Sequence, residues 1–278
     1  MFELFEKTTF GCSKLITRSY STSFTLGIQT LDRKFHDPIY GIYGFVRYAD
    51  EIVDTFHDFD KKTLLERYGA ETYKAIEEGI SLNPVLHSFQ KVVKQYKIEH
   101  ELIEAFLESM EMDLENRVYD RNGYDKYIFG SAEVVGLMCL RVFCEGDEKL
   151  FDQLKTYAQS LGAAFQKVNF LRDIQSDFLE RGRVYFPNVD FNDFSFDSKK
   201  QIESDIQKDF DNAYIGILGL PGGARKGVYL AYCYYLKLFD RIKRISATRI
   251  QQERIRVPDA VKLALLAKTW VQRGLNTI

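Results

Sequence analysis

Apolar residues recur at three- and four-residue intervals along the whole chain, and no stretch alternates apolar and polar residues as a half-buried strand would. That regularity restricts the chain to an all-α fold. Only five prolines occur in 278 residues, so long helices are rarely interrupted from within. The periodic segments are 8–20, 35–57, 61–79, 84–95, 99–116, 124–144, 147–180, 199–217, 222–247 and 257–272. Turn-forming residues separate them: Asn83-Pro84, Asn122-Gly123, Glu145-Gly146, Pro221-Gly222-Gly223 and Val257-Pro258. The one long irregular stretch, 184–198, has a length that compact domains often reserve for function. With no fixed-period repeat and no low-complexity linker, residues 1–278 are expected to form a single domain around a shared apolar interior.

Charge and composition narrow the function classes. With 38 basic against 40 acidic residues, the chain carries a formal charge of −2, so nucleic acid is not the expected partner and any anion binding must be local. Cys12, Cys139, Cys144 and Cys233 have neither metal-ligand nor disulfide-framework spacing, which favours a reduced, cytoplasmic protein. The first ten residues, MFELFEKTTF, are too acidic for a signal peptide, and the most apolar run, 134–144, contains Arg141, so neither export nor a spanning helix is expected. The histidines, at 36, 57, 87 and 100, form no catalytic or metal pattern and read as surface or packing residues. The surplus is aromatic: 22 Phe and 17 Tyr against one Trp.

Two polar stripes stand out from this background. Within 35–57, Arg47, Asp50 and Asp54 follow one another at spacings of three and four, on one helix face. Within 147–180, Asn169, Asp173 and Asp177 form a second stripe beside Arg172. Like carboxylates one turn apart repel and are ordinarily left on solvated faces, and the chain holds further pairs such as Asp54/Asp58 and Asp205/Asp209. The two stripes differ in lying on apolar, aromatic-rich helices with an arginine on or beside the same turn. Paired carboxylates suit Mg²⁺, which takes one or two of them and leaves its other positions to water and phosphate oxygens, while arginine grips phosphate bidentately. From spacing alone, metal–diphosphate binding and solvated faces remain equal alternatives.

Further runs accompany these stripes: Ser21-Thr22-Ser23-Phe24, then YIFGSAEVVGLM at 127–138, Arg181-Gly182-Arg183-Val184-Tyr185-Phe186-Pro187, and Arg254-Ile255-Arg256-Val257-Pro258. In this order, and over nearly the whole length, they resemble the squalene/phytoene synthase family of head-to-head prenyl-diphosphate synthases, and most of all its bacterial phytoene synthases. The resemblance implies an isoprenoid-synthase helical bundle enclosing a central apolar cavity, with the two Asp-rich helices facing each other across its mouth. It further implies that Asp50, Asp54, Asp173 and Asp177, with Asn169 as a neutral ligand, hold Mg²⁺, or Mn²⁺ in its place, against the substrate diphosphates. Arg47, Arg172 and Arg254 would bind the diphosphates, with Ser21, Ser23 and Tyr235 as hydrogen-bond donors. Two diphosphates bring about six negative charges into one pocket, so clustered cations are needed. The chain departs from the common pattern at Thr22, where many members have Lys, at Phe129, where many have Tyr, and at Glu51 in place of Asp.

The reaction implied is loss of diphosphate from one substrate, attack by the second substrate's alkene to give a cyclopropylcarbinyl diphosphate, and rearrangement to a 1-1′ coupled product. Some of the aromatic rings would then shield carbocations from water. The R-G-R-V-Y-F-P run favours two geranylgeranyl diphosphates giving phytoene, with no NADPH. The runner-up is a C30 synthase making dehydrosqualene or squalene from farnesyl diphosphate. A non-catalytic assembly or lipid-binding relative is the alternative of another class, disfavoured because all four aspartates are retained. A peripheral membrane contact suits a product that must leave into lipid, although no basic run supports one, and oligomeric state cannot be read from the sequence.

Overall fold

The computed structural model describes residues 1–114, 119–179, 185–187, 194–250 and 255, with the backbone alone for 176–179. The described residues form helices and no strand, as the periodicity requires. In chain order these are α1 (Phe2–Tyr20), α2 (Thr22–Thr30), α3 (Arg33–Asp54), α4 (Lys61–Glu78), α5 (Pro84–Tyr96) and α6 (His100–Met112). Then follow α7 (Arg121–Ile128), a π-helical segment (Phe129–Glu133), α8 (Val134–Cys144), α9 (Glu148–Leu179), α10 (Phe196–Gly219), α11 (Gly222–Lys243) and the short α12 (Ala247–Ile250).

Local chemistry explains most of the boundaries. Asn83 caps α5 by accepting from Val85 N at 3.1 Å, with Pro84 in the first turn, where a missing N–H costs nothing. Asp60 caps α4 through Thr63 N at 3.1 Å, and Gly79, at φ +74°, closes that helix in the left-handed region. Several boundaries differ from the sequence expectation. α1 begins at Phe2 rather than residue 8, α6 ends at Met112 rather than 116, and α11 ends at Lys243 rather than 247. Ser195 accepts from Ser198 N at 3.1 Å and starts α10 three residues early, inside the stretch expected to be irregular. Helix α2 was not expected at all. It exists because Ser21 takes an extended conformation, ends α1, and caps the next helix by accepting from Phe24 N at 3.2 Å. The expected helix 257–272 lies outside the described residues.

Helix α9, 32 residues long, is the central element, contacting α8, α10, α11 and the π segment. One apolar cluster lies around α3, α5, α6 and α8, where Phe45 stacks on Phe89 at 3.9 Å. A second gathers α9, α10 and α11 around Phe210 and Phe239, 5.6 Å apart. Burying a side chain of that size contributes about 1.5–3 kcal/mol. Two glycines permit close backbone-to-backbone helix contacts: a Cβ on Gly130 would stand 2.4 Å from Ala105 O on α6, and one on Gly162 would stand 2.5 Å from Ala132 O. The π segment is thereby wedged backbone to backbone between α6 and α9.

By length and hydropathy, one described stretch, Arg121–Cys144, is apolar enough to cross a membrane. Its position accounts for that composition. It packs against α6 and α9, and Arg141 near its end pairs with Glu99 and Glu148, so the run is apolar because it forms a wall of the bundle.

Candidate active site

Both aspartate stripes lie at helix C-termini. Asp54 is the last residue of α3, Asp50 is one turn earlier, and no basic residue occupies that last turn. Asp173 and Asp177 fall in the final two turns of α9, whose last turn is likewise without a basic residue. The negative end of a helix dipole disfavours an anion there by about 0.3–1 kcal/mol. Helix ends carrying carboxylates of this kind are built to receive cations.

Arg47 is half-buried and reaches forward along α3 to pair with both Asp50 and Glu51. Its guanidinium carbon lies 4.3 Å from the centroid of the Tyr20 ring, and its Nε is buried without a hydrogen-bond partner among the described residues. On α9, Arg172 Nε donates to both oxygens of Asp173, at 3.0 and 3.1 Å. Tyr235 of α11 donates its hydroxyl to Asn169 Oδ1 at 3.3 Å while Phe165 stacks on its ring at 3.9 Å. Burial raises the Tyr235 pKa, opposed by the nearby Arg172 charge, so the hydroxyl keeps its proton at neutral pH.

Aromatic residues join the two halves. Phe24, in the first turn of α2, lies 5.6 Å from Tyr43 of α3 and 6.5 Å from Tyr235 of α11. Burial pushes the Tyr43 hydroxyl up to about 12, against the influence of Arg47 and a hydrogen bond with Ser21. Beside these rings lies an apolar cavity of about 320 Å³, lined by Val46, Phe165 and Asn169 on the aspartate-bearing stretches of α3 and α9 and by Leu140, Phe143 and Leu154 further along α8 and α9.

Val46, one turn before Asp50 on α3, and Asn169, one turn before Asp173 on α9, line the same cavity, and Tyr235 bonds to Asn169 and meets Phe24, which in turn meets Tyr43 of α3. The Ser21 hydroxyl accepts from Phe24 N as the α2 cap and is hydrogen-bonded with Tyr43. Ser23 is half-buried and Thr22 exposed, both in the first turn of α2, where backbone N–H groups favour an anion. The side chain of Asp177, and all of Arg254, lie outside the described residues. Tyr43 and Phe165 were not singled out from sequence, and Phe24 only as part of the Ser21–Phe24 run. Tyr43 carried a usable signal, since it stands four before Arg47 and seven before Asp50, on the same helix face.

Among the described residues, no three His, Cys, Asp or Glu side chains converge as a closed metal cage. Paired carboxylates at two helix ends match instead a hard cation that completes its shell with water and phosphate oxygens, so the donor set fits Mg²⁺.

A sequence model described as squalene/phytoene synthase matches residues 17–260. The chain is 27% identical to a phytoene synthase of Arthrospira platensis, covering 90% of this chain and 89% of that one. It is 24% identical to a 4,4'-diapophytoene synthase of Staphylococcus haemolyticus, over 70% of this chain and 67% of that one. Among solved structures, a ligand-bound dehydrosqualene synthase superposes with a TM-score of 0.82 at 18% identity, covering 98% of each chain.

Proposed function

We propose that this chain, which belongs to the squalene/phytoene synthase family and is a prenyltransferase, condenses two geranylgeranyl diphosphates head to head into phytoene through a cyclopropylcarbinyl diphosphate. The observation that carries the reading is an apolar cavity lined by residues of both aspartate-bearing helices, among them Val46 of α3 and Asn169 of α9, each one turn before an aspartate. Asp50, Asp54, Asp173 and Asp177, with Asn169, would hold Mg²⁺, which supplies Lewis acidity to the departing diphosphates. Arg47 and Arg172 hold phosphate oxygens, and the first turn of α2 adds its backbone N–H groups. Tyr235 orients Asn169 through its hydroxyl and presents, with Phe165 and Phe24, aromatic faces just inside the entrance. Such faces stabilise a desolvated cation by about 2 kcal/mol and exclude water.

Two features support C20 substrates: the R-G-R-V-Y-F-P run and the depth of the cavity. On α9, Asp173 and the lining residue Leu154 are nineteen residues apart (154 to 173), about 28 Å of helix. That length accommodates an extended C20 chain together with its diphosphate. Residues 1–278 act in this reading as one domain.

The test is incubation of the purified protein with Mg²⁺ and either farnesyl or geranylgeranyl diphosphate, with and without NADPH, followed by mass identification of the hydrocarbon. A C40 product formed without NADPH is expected; a C30 product alone overturns the chain length. Asp50→Ala and Asp173→Ala should each lower turnover at least 100-fold, and unchanged turnover in both would overturn the site and favour a non-catalytic relative.

A further inference from the structure

Where α8 ends and α9 begins, two aromatic rings lie one behind the other at the cavity's lining. Helices α8 and α9 run antiparallel: a Cβ at Gly162 would meet Ala132 O, and one at Gly136 would meet Ala158 O, so each step forward along the π segment and α8 is a step back along α9. The Arg141 guanidinium over the Phe151 ring, at 3.5 Å, continues this register. Phe143 therefore stands level with the residues near 151, deeper than Leu154, and still lines the cavity. Its ring is 7% exposed and meets Phe35 edge-on at 5.4 Å and 82°, and Phe35 is 1% exposed. Beyond Phe35 comes the Lys34 ammonium, 4.9 Å from that ring, paired with Glu145. Lys34 and Glu145 are 54% and 45% exposed, so solvent begins there. Two rings thus separate the cavity from the outside of the bundle.

We infer that Phe143 sets the longest prenyl chain the cavity accepts, with Phe35 as the backstop that keeps the far end sealed. The inference rests on the prenyl-diphosphate reading above and names the residue that controls chain length within it. A chain anchored by its diphosphate at the Asp-rich entrance extends toward Phe143, and its last isoprene unit meets that ring. Trimming Phe143 lets the tail advance to Phe35; enlarging it halts the tail sooner. Leu31, Ile39 and Leu154 also line the cavity, but Phe143 is the liner backed by a second ring and then by surface charges.

The test measures binding of the unreactive S-thiolodiphosphates of farnesyl, geranylgeranyl and geranylfarnesyl chains, with Mg²⁺, to wild type, Phe143→Leu, Phe143→Ala and Phe143→Trp. The ratio of longer- to shorter-chain affinity should rise at least tenfold in Phe143→Ala, less in Phe143→Leu, and fall at least tenfold in Phe143→Trp. Products from mixed C15 and C20 diphosphates should shift in the same direction. If Phe143→Ala does not fold, the Leu and Trp variants carry the comparison with opposite expected signs. Ratios within twofold of wild type in the folded variants, with binding intact, overturn the role of Phe143 alone. If wild type binds none of the analogues, both this inference and the prenyl-diphosphate reading fall.

Discussion

Arg47 ties three residues together: it pairs with Asp50 and Glu51 on its own helix and lies over Tyr20 at the end of α1. Glu51 is 8% exposed, so Arg47→Ala would leave a nearly buried carboxylate without this cation. We expect a loss of about 3 kcal/mol, read as a lower midpoint in urea unfolding, together with weaker diphosphate binding. Arg47→Lys should restore most of the stability but not the binding, since an ammonium lacks the planar fork that matches phosphate. Tyr235→Phe is a milder change. It keeps the stack on Phe165 but removes the hydroxyl that holds Asn169, worth about 1 kcal/mol. Turnover should fall more than melting temperature, and equal effects on both would argue that the hydroxyl is purely structural. At this scale the sequence was readable where residues share a helix: Arg47, Asp50 and Asp54 were legible as one face. The Tyr235–Asn169 bond spans 66 positions, and no local period announces it.

At the scale of elements, helix ends and helix contacts decide the behaviour. The π segment can sit between α6 and α9 only because Gly130 and Gly162 lack side chains. Gly162→Val should cost about 1–3 kcal/mol or more by overpacking, lowering the melting temperature by roughly 2–4 °C per kcal/mol for a chain of this size. The last residue of the π segment, Glu133, is bonded by Gln159 at 3.1 Å, and burial raises its pKa above the ordinary 4.5, with Asp209 adding to the rise. Lys167, which the same neighbourhood holds between Asp205 and Asp209, opposes that rise. A carboxyl with a raised folded pKa binds its proton more tightly in the native state. Its contribution is therefore fully present below about pH 4.5 and is lost as the pH rises through the folded value. Glu133→Gln should accordingly melt higher than wild type at pH 7, with the difference vanishing below pH 4. A constant difference across that range would contradict the burial argument. The sequence located most of these elements, because apolar periodicity and caps such as Asn83 and Asp60 act over a few residues. It missed α2, a nine-residue helix started by one serine cap, and it could not register a π segment embedded in continuous apolar periodicity.

For the molecule as a whole, the aromatic surplus has more than one use. Phe45, Phe89, Phe106, Phe210 and Phe239 are ordinary core. Phe24, Tyr43, Phe165 and Tyr235 frame the entrance, and Phe143 with Phe35 closes the opposite end. A near-neutral total charge likewise conceals the aspartate and arginine stripes of α3 and α9. Composition could not distinguish these roles, because burial alone makes every ring look alike. The sequence by itself determined the helical class, the two aspartate stripes and, through its ordered runs, the family; each of these is encoded in residues close together along the chain or in motifs short enough to recognise. Only the tertiary structure decided that Val46 and Asn169, each one turn before an aspartate, line one cavity, that Tyr43, Phe24 and Tyr235 link α3 to α9, and that Phe143 lines the same cavity against Phe35. Those facts depend on how α3, α8, α9 and α11 cross, and crossing is set by close packing at sites such as Gly130 and Gly162, which act between residues far apart in the chain.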